Sequence, residues 1–361
     1  MIPVTQPFLP QIDEYQRLIS KIWNEKWLTN HGPFVQELEQ KLQDYLQVRS
    51  LFFVSNGTIA LQLAIKALQI KKQIITTPFS FIATVTSILW ENCEPVFVDI
   101  DPETLCIDPQ KIEDAITEDT SAILATHVYG IPCEVEKIDA IAKKHHLKVI
   151  YDAAHAFGVK YKGKSLLNYG DISTLSFHAT KLFHTVEGGA VINNGGEIGD
   201  QIINRIRNFG IEGEDYDYVG INAKNSEFHA AMGLCNLKYV EDIIQRRKVI
   251  TEIYDMFLKD RYKRPYIGSE VTYNYCYYPI IFDSEEVLLK VKENLENHQI
   301  LARRYFKPSL NQLPYIKKRF SCPIAEEVSK KVLCLPLFSE LNRNDAERIA
   351  TLVSEKSIKT Y

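Results

Sequence analysis

Two polar turns, each directly after a short apolar run, constrain this chain more than any other feature of its sequence. One run, residues 148–151, leads to Asp152, and the other, residues 173–176, continues through the sequence Phe-His-Ala-Thr to Lys181. The stretch between Asp152 and Lys181 is long enough to form a crossover between two neighbouring strands. We therefore expect the acid and the amine to lie at the same edge of one sheet.

Short apolar runs alternate with segments of helical periodicity from residue 51 onward. The runs are Leu51–Val54, Gln73–Thr76, 95–98, 122–126, 148–151, 173–176 and 189–192. Helical patterns such as 58–68 and Val135–His145 lie between them. This alternation predicts an α/β fold whose mostly parallel seven-stranded sheet carries helices on both faces. Ligands of such sheets bind beyond the carboxyl ends of the strands.

The two ends of the chain have a different character. Helical patterns cover residues 11–23, 34–46, a stretch from Glu241, Glu285–Asn297 and 344–355. Apolar residues within 273–282 indicate a short strand among the later helices. We expect a large domain of residues 1–240 and a smaller C-terminal α+β domain of residues 241–361.

Composition argues against several classes of protein. The formal net charge is −4, without the basic excess that nucleic-acid binders carry. The seven cysteines are widely spaced and form no Cys-x-x-Cys pair, which indicates reduced thiols rather than a metal or redox motif. The N-terminal sequence does not resemble a signal peptide, and no apolar run is long enough to span a bilayer. We expect a cytoplasmic protein with no metal and with neither nucleic acid nor membrane as a partner.

An aspartate and a lysine at one sheet edge suit the chemistry of pyridoxal 5'-phosphate (PLP). That cofactor needs a lysine amine that condenses with its aldehyde and a carboxylate that keeps its ring nitrogen protonated. From the residues alone, each has a simpler interpretation. Lys181 would be a surface lysine after a strand, and Asp152 would cap a following helix.

The sequence around both residues resembles the sugar aminotransferases of the DegT/DnrJ/EryC1/StrS family, a branch of the fold type I PLP-dependent transferases. The resemblance rests on Tyr-Asp-Ala-Ala-His-Ala-Phe-Gly at 151–158, Ser-Phe-His-Ala-Thr-Lys at 176–181 and Glu-Gly-Gly at 187–189. It extends over nearly the whole chain. It implies that Lys181 bonds the cofactor and moves the proton during catalysis, while Asp152 pairs with the pyridine nitrogen.

The first strand is followed by the sequence Ser-Asn-Gly-Thr at 55–58, which we call the phosphate loop. Backbone amides at a helix N-terminus bind phosphate well. The loop is similar to the family's phosphate-binding segment, which implies that Gly57 and Thr58 hold the cofactor phosphate, with Ser176 as a second hydroxyl. Without the resemblance, the same turn would only cap a helix.

The resemblance implies three further cofactor contacts. His155 would bond the phenolic oxygen, and Phe81 would stack on the ring, with Phe79 as its rival. Asn222 lies in a segment, residues 220–231, that is similar to the family's Gly-x-Asn-x-Arg-Met-x-Glu. In the family this Asn reaches the phosphate of the neighbouring subunit, which implies a homodimer with shared active sites.

The chain departs from the family pattern in two places. Lys224 and Asn225 stand where the family has Arg-Met. Val186 precedes the Glu-Gly-Gly motif, where the family usually has Gly. The resemblance therefore does not define the local contacts of these three residues.

The substrate contacts are less specified than the cofactor contacts. A nucleotide diphosphate needs cations, and residues 303–308 offer Arg303, Arg304 and Lys307, with a solvated charge cluster as the alternative. Residues expected near the sugar are Asn30, His31 and His184.

The resemblance implies transfer of an amino group from glutamate to C4 of a nucleotide-linked 4-keto-6-deoxyhexose, with dTDP-4-keto-6-deoxyglucose as the expected acceptor. The product would serve deoxyaminosugar, O-antigen and lipopolysaccharide biosynthesis. Amination at C3 stays open, because both kinds of enzyme share the cofactor residues. A PLP-dependent dehydratase would carry His in place of Lys181, and a non-catalytic sensor or scaffold usually lacks the lysine or the aspartate.

Overall fold

The computed structural model describes residues 1–355, and a seven-stranded sheet lies at its centre. The strands are β1 (Leu51–Val54), β2 (Gln73–Thr76), β3 (Glu94–Phe97), β4 (Thr120–Thr126), β5 (Lys148–Asp152), β6 (Lys160–Tyr161), β7 (Lys164–Ser165), β8 (Ile172–Ser176), β9 (Gly189–Asn193), β10 (Ile211–Glu212), β11 (Asp215–Tyr216), β12 (Val271–Thr272), β13 (Tyr278–Ile281) and β14 (Val332–Leu335). The helices are α1 (Ile12–Glu25), α2 (Pro33–Leu46), α3 (Gly57–Ala67), α4 (Ile82–Trp90), α5 (Ile112–Ala115), α6 (Val135–His145), α7 (Glu197–Ile206), α8 (Glu227–Leu237), α9 (Val240–Leu258), α10 (Glu285–Asn297), α11 (Pro323–Lys331) and α12 (Arg343–Glu355).

The central sheet confirms the predicted fold class. Its strand order is β1-β9-β8-β5-β4-β2-β3, and only β9 runs against the direction of the other strands in this sheet. Strands β5 and β8 are parallel neighbours, with Asp152 opposite Thr174. Both faces of the sheet are covered, which explains why its strands appear in the sequence as apolar runs rather than as alternating patterns.

Hydrogen bonding sets strand ends that hydrophobicity does not reveal. The strand predicted at 95–98 lies at Glu94–Phe97, because its parallel partner β2 begins with Gln73 opposite Glu94. The strand predicted at 148–151 continues to Asp152, which pairs with Thr126. The aspartate is therefore the last residue of its strand rather than part of the turn.

The C-terminal part of the chain forms a second hydrophobic cluster. Helices α9, α10 and α12 pack there with the antiparallel pair β13–β14, as an α+β arrangement. Helix α9 contributes to both clusters, because Val240 and Ile243 pack with the central sheet and Ile250 packs with the C-terminal helices. The predicted domain boundary at residue 240 stays a prediction.

Two further features of residues 1–355 concern the classes considered above. No helix there combines the length and the apolarity that crossing a membrane requires. All seven cysteines lie in this range, are buried and form no disulfide.

A buried ion pair covers the free edge of β1. The Glu39 carboxylate accepts the backbone N–H of Phe53 at 2.8 Å, and Arg207 donates to Glu39 at 2.6 Å and to the Phe53 carbonyl at 3.4 Å. Glu39 is 7% exposed and Arg207 is 4% exposed. An open strand edge would leave these backbone groups available to water or to a strand of another chain. Since β1 leads directly into the phosphate loop, the pair also holds that loop in place.

We expect Arg207→Met to lower the free energy of unfolding by about 3–5 kcal/mol, because Glu39 would stay buried without its cation. Urea denaturation measures the loss. The control is Arg246→Met, which removes a solvent-exposed pair with Asp242 and should change stability by less than about 0.5 kcal/mol. Equal losses in the two variants would contradict a special role for the buried pair.

The same pair predicts a pH dependence. Burial raises the pKa of Glu39, but the charge of Arg207 and the hydrogen bond from His31 outweigh burial and hold this pKa below its ordinary value. The stabilisation is thus fully present above the unfolded pKa and is lost as the pH falls through the lower folded pKa. Arg207→Met should weaken this acid-dependent loss.

Val186 has a backbone conformation that is unfavourable for its side chain. Its φ is 71°, in the left-handed region that a β-branched residue rarely adopts. Its backbone N–H donates to His184 Nδ1 at 3.2 Å, which helps to hold the turn. The departure from the family's usual Gly therefore places strain in the loop that carries Lys181.

Val186→Gly should raise the free energy of unfolding by about 1 kcal/mol, because relief of the left-handed strain exceeds the added entropy of the unfolded chain. Val186→Ala is the matched control, since it keeps a Cβ and should recover less than half of that gain. Urea denaturation of the three proteins decides between them. A glycine variant less stable than the parent would show that this turn is not strained.

Candidate active site

A cavity of about 680 Å³ opens at the carboxyl ends of β1, β2, β4, β5 and β8. Predicted site residues on its wall are Gly57, Thr58, Phe81, Asp152, His155, Ser176, Lys181 and Arg303. The cavity thus brings together every predicted cofactor residue except Asn222. Of the predicted substrate residues, it includes Arg303.

Asp152 is a buried carboxylate at the end of β5. It accepts hydrogen bonds from Thr84 Oγ1 at 2.7 Å and from the Ala154 backbone N–H at 3.2 Å. Burial raises its pKa, and these two bonds together with the charge of Lys181 only partly offset that rise. The interpretation of Asp152 as a helix cap is wrong, because β5 is followed by turns and then β6. A cationic ring nitrogen would supply the partner that this carboxylate needs.

Lys181 lies in the loop between β8 and β9, residues 177–188, which we call the lysine loop. The side chain is half-buried on the cavity wall, so Lys181 is not simply a surface lysine. Its Nζ makes no hydrogen bond or ion pair within residues 1–355. Burial lowers its pKa, while the charge of Asp152 acts in the opposite direction. A lowered pKa increases the fraction of neutral amine, which is the nucleophilic form.

His155 presents one nitrogen that is available to a ligand. Its Nδ1 accepts the backbone N–H of Tyr129 at 3.2 Å, which puts the proton of the neutral ring on Nε2. Burial and then the charge of Lys181 lower its pKa well below the ordinary value. Its ring lies parallel to Phe306, with centroids 5.8 Å apart. A neutral His155 can therefore donate to an oxygen in the cavity, as the resemblance implies.

The phosphate loop ends in a helix N-terminus with free donors. Asn56 Oδ1 accepts the backbone N–H of Ile59 at 2.9 Å and so caps α3. The backbone N–H groups of Gly57 and Thr58 have no partner among the residues that the structure describes. These two groups are available to an anion, and the helix dipole favours negative charge at that point.

Glycines allow the phosphate loop to lie close to the end of β8 and the start of β9. A Cβ on Gly57 would lie 2.9 Å from the Cβ of Ser176. A Cβ on Gly189 would lie 2.5 Å from the backbone carbonyl carbon of Asn56. Both distances are too short for a side chain, so the second glycine of the Glu-Gly-Gly motif serves packing against the phosphate loop.

The two candidate aromatic residues have different environments. Phe81 is 49% exposed and lies on the cavity wall at the start of α4. Phe79 is fully buried and packs edge-on against Tyr129 and Phe306. The position of Phe81 therefore suits ring stacking, and Phe79 belongs to the core.

The segment around Asn222 binds neighbouring parts of the same chain. Asn222 is exposed, forms a backbone bridge with Asn208 and lies outside the cavity. Lys224 Nζ donates to Asn208 Oδ1 at 2.5 Å, and Asn225 Nδ2 donates to the Glu187 carbonyl at 3.0 Å. Lys224 and Asn225, which stand where the family has Arg-Met, thus form structural hydrogen bonds near the site. The contact of Asn222 with a second subunit stays a prediction.

The structure separates the three candidate cations. Arg304 pairs with Glu285 at 2.7 Å, and Lys307 also pairs with Glu285. Arg303 lies on the cavity wall with its guanidinium 4.8 Å from the ring centroid of Tyr305, and it pairs with no carboxylate in the described part of the chain. Arg303 therefore suits a phosphate contact. The prediction for Arg304 is not supported by its position, because its guanidinium is already occupied outside the cavity.

Three predicted sugar contacts lie outside this cavity. His184 is buried, its Nε2 donates to the Phe8 carbonyl at 2.7 Å, and its Nδ1 accepts from Val186. His31 donates to Glu39 at 2.8 Å, and Asn30 is exposed at the surface. Within this chain, His184 and His31 are occupied by structural contacts.

Several residues at the site were not predicted from the sequence. They are Ser80, Thr84, Thr126, Tyr277, Tyr305 and Phe306. Ser80 and Thr84 stand four residues apart around the start of α4, a spacing that could have identified a shared polar face. The aromatic residues come from the C-terminal part, and no local pattern connects them to the sheet.

Comparisons with known proteins agree with this geometry. The model of the DegT/DnrJ/EryC1/StrS aminotransferase family matches residues 11–354. The chain is 43% identical over 366 residues to the dTDP-4-amino-4,6-dideoxy-D-glucose transaminase of Escherichia coli, with 98% of each chain covered. It is 31% identical over 359 residues to the dTDP-3-amino-3,6-dideoxy-alpha-D-galactopyranose transaminase of Aneurinibacillus thermoaerophilus, with 94% of each chain covered.

A solved structure shows the same fold. DesI, crystallised in the presence of its TDP-sugar product, superposes with a TM-score of 0.92 at 30% identity, over 98% of this chain and 92% of that chain. The buried carboxylate, the unpaired amine and the free amides of the cavity fit PLP. The chain therefore belongs to the DegT/DnrJ/EryC1/StrS aminotransferase family, whose members are PLP-dependent sugar aminotransferases.

Proposed function

We propose that the protein moves an amino group from glutamate to C4 of dTDP-4-keto-6-deoxyglucose and releases dTDP-4-amino-4,6-dideoxyglucose. The observation that carries this proposal is the near full-length match to the Escherichia coli transaminase of that name. Identity to the relative named for a 3-amino sugar is lower, which favours C4 over C3.

The cavity residues have distinct roles in this reaction. Bound PLP supplies an electron sink for the carbon that loses its proton. Lys181 Nζ, whose pKa is lowered by burial, would be the group that accepts this proton and gives it back. Asp152 would hold the ring nitrogen, and His155 Nε2 would donate to the phenolic oxygen. The amides of Gly57 and Thr58 would bind the phosphate.

Arg303 is the residue we assign to the diphosphate of the acceptor. It lies on the cavity wall without a carboxylate partner in residues 1–355, so its guanidinium is free to bind an anion. From its position on the cavity wall, it would orient the sugar over the cofactor. Regiochemistry then depends on how the sugar rotates between Arg303 and Lys181.

We also propose a cytoplasmic homodimer with shared active sites, acting in deoxyaminosugar, O-antigen and lipopolysaccharide biosynthesis. The exposed position of Asn222 supports this assembly, because its side chain is free to reach a second subunit. Apolar side chains exposed beside it are Phe209, Val219 and Ile221. A second copy would bury these side chains and complete the phosphate site.

Incubation of the enzyme with glutamate and dTDP-4-keto-6-deoxyglucose should yield the 4-amino sugar, identified by mass spectrometry and NMR. Lys181→Ala should reduce turnover at least about 10³-fold, because the proton carrier is lost. The control Lys143→Ala changes an exposed lysine and should retain full activity. An amine only at C3 would overturn the regiochemistry, and no amination of either keto sugar would overturn the substrate class.

Sedimentation at working concentration should give about twice the chain mass of 41.5 kDa. Asn222→Ala should weaken PLP binding about tenfold, since it removes a hydrogen bond to a charged group. The control Asn297→Ala changes an exposed residue at the end of α10 and should leave PLP affinity unchanged. A fully active monomer is the result that would exclude shared sites.

A further inference from the structure

Three buried hydroxyl groups form a continuous chain that ends at Asp152. Thr126 Oγ1 lies 3.0 Å from Ser80 Oγ, which lies 2.7 Å from Thr84 Oγ1. Thr84 Oγ1 lies 2.7 Å from Asp152 Oδ2. All four side chains are buried. The chain thus connects the carboxylate to a hydroxyl on the neighbouring strand without passing through solvent.

The direction of each hydrogen bond follows from the chemistry of the groups. An ionised carboxylate only accepts, so Thr84 must use its single hydroxyl proton for Asp152. The oxygen of Thr84 then accepts from Ser80, and Ser80 accepts from Thr126. All three O–H dipoles point toward the negative charge, and hydrogen bonds aligned in this way strengthen one another.

The fold explains why these hydroxyls meet. Thr126 ends β4 and pairs in register with Asp152 at the end of β5. Ser80 and Thr84 flank the start of α4, so they lie on one side of its first turn. The first turn of α4 therefore bridges the ends of the two strands at the floor of the cavity.

The site needs this chain of hydroxyl groups because burial disfavours the ionised form of Asp152. Burial raises the pKa of Asp152, and the bond from Thr84 is the largest opposing influence, ahead of the Ala154 amide and the charge of Lys181. Without Thr84, Oδ2 would lose its hydrogen bond in a buried setting, which is costly. The negative charge of the Asp152 carboxylate, which must face the ring nitrogen, would then be less stable.

We propose that Thr84, supported by Ser80 and Thr126, is a positioning residue that keeps the Asp152 carboxylate ionised and directed at the nitrogen of the cofactor ring. It acts through Asp152 and touches neither substrate nor cofactor chemistry. The proposal rests on Asp152 as the partner of that nitrogen. It gives a function to the Ser-x-x-x-Thr spacing of Ser80 and Thr84, which would otherwise only mark the start of α4.

The test uses the holoenzyme without substrate and compares Thr84→Val, Thr84→Ser and Asp152→Asn. Thr84→Val keeps the shape but removes the hydroxyl, and should weaken PLP binding about tenfold. It should also shift the pH titration of the cofactor absorbance in the same direction as Asp152→Asn. Thr84→Ser restores the hydroxyl and should stay within about threefold of the parent. Urea denaturation shows whether each variant is folded.

A double variant separates positioning from general loss of structure. If Thr84 acts through Asp152, then Thr84→Val should add little in the Asp152→Asn background. Ser80→Ala should produce a smaller shift in the same direction, and it carries the test if Thr84→Val does not fold. Additive effects, or a parent-like titration in Thr84→Val beside a shifted one in Asp152→Asn, would overturn the proposal. An unshifted Asp152→Asn would overturn the role of Asp152 and this inference together.

Discussion

The parallel pairing of β5 with β8 is the interaction on which the active site depends. It sets Asp152 opposite Thr174 and brings the start of the lysine loop to the same sheet edge. Burial at this edge raises the pKa of Asp152 and lowers the pKa of Lys181, so it disfavours the charged form of both. Each charge partly offsets the effect of burial on the other. The sheet therefore creates both a carboxylate that needs a cation and an amine with nucleophilic character.

Close packing at the carboxyl end of β1 positions the anion site. Gly57 and Gly189 leave too little room for side chains, so the phosphate loop lies directly against β8 and β9. The Glu39–Arg207 pair closes the outer edge of β1 and keeps that strand in register. Because these contacts involve backbone groups, small shifts would misdirect the free amides of α3.

The C-terminal part completes the cavity from the other side. It contributes Arg303, Tyr305 and Phe306 to a wall whose floor is the central sheet. A pairing between Arg303 and Cys334 ties this wall to β14. The predicted cofactor residues therefore come from the sheet and its loops, and Arg303, the residue proposed for the acceptor, comes from the segment that follows α10.

The sequence by itself predicted the seven strands of the central sheet, the main helices and the placement of Lys181 and Asp152 at one sheet edge, because strands buried on both faces must be apolar and the motifs are local. Tertiary structure decided that Phe81 rather than Phe79 faces the cavity, and that Arg303 has no carboxylate partner within residues 1–355 while Arg304 is paired with Glu285. It also produced the hydroxyl chain, whose Thr84–Asp152 bond joins residues 68 positions apart. Such partners are set by how helices and strands pack against each other. A local sequence pattern does not show which polar side chains this packing brings together.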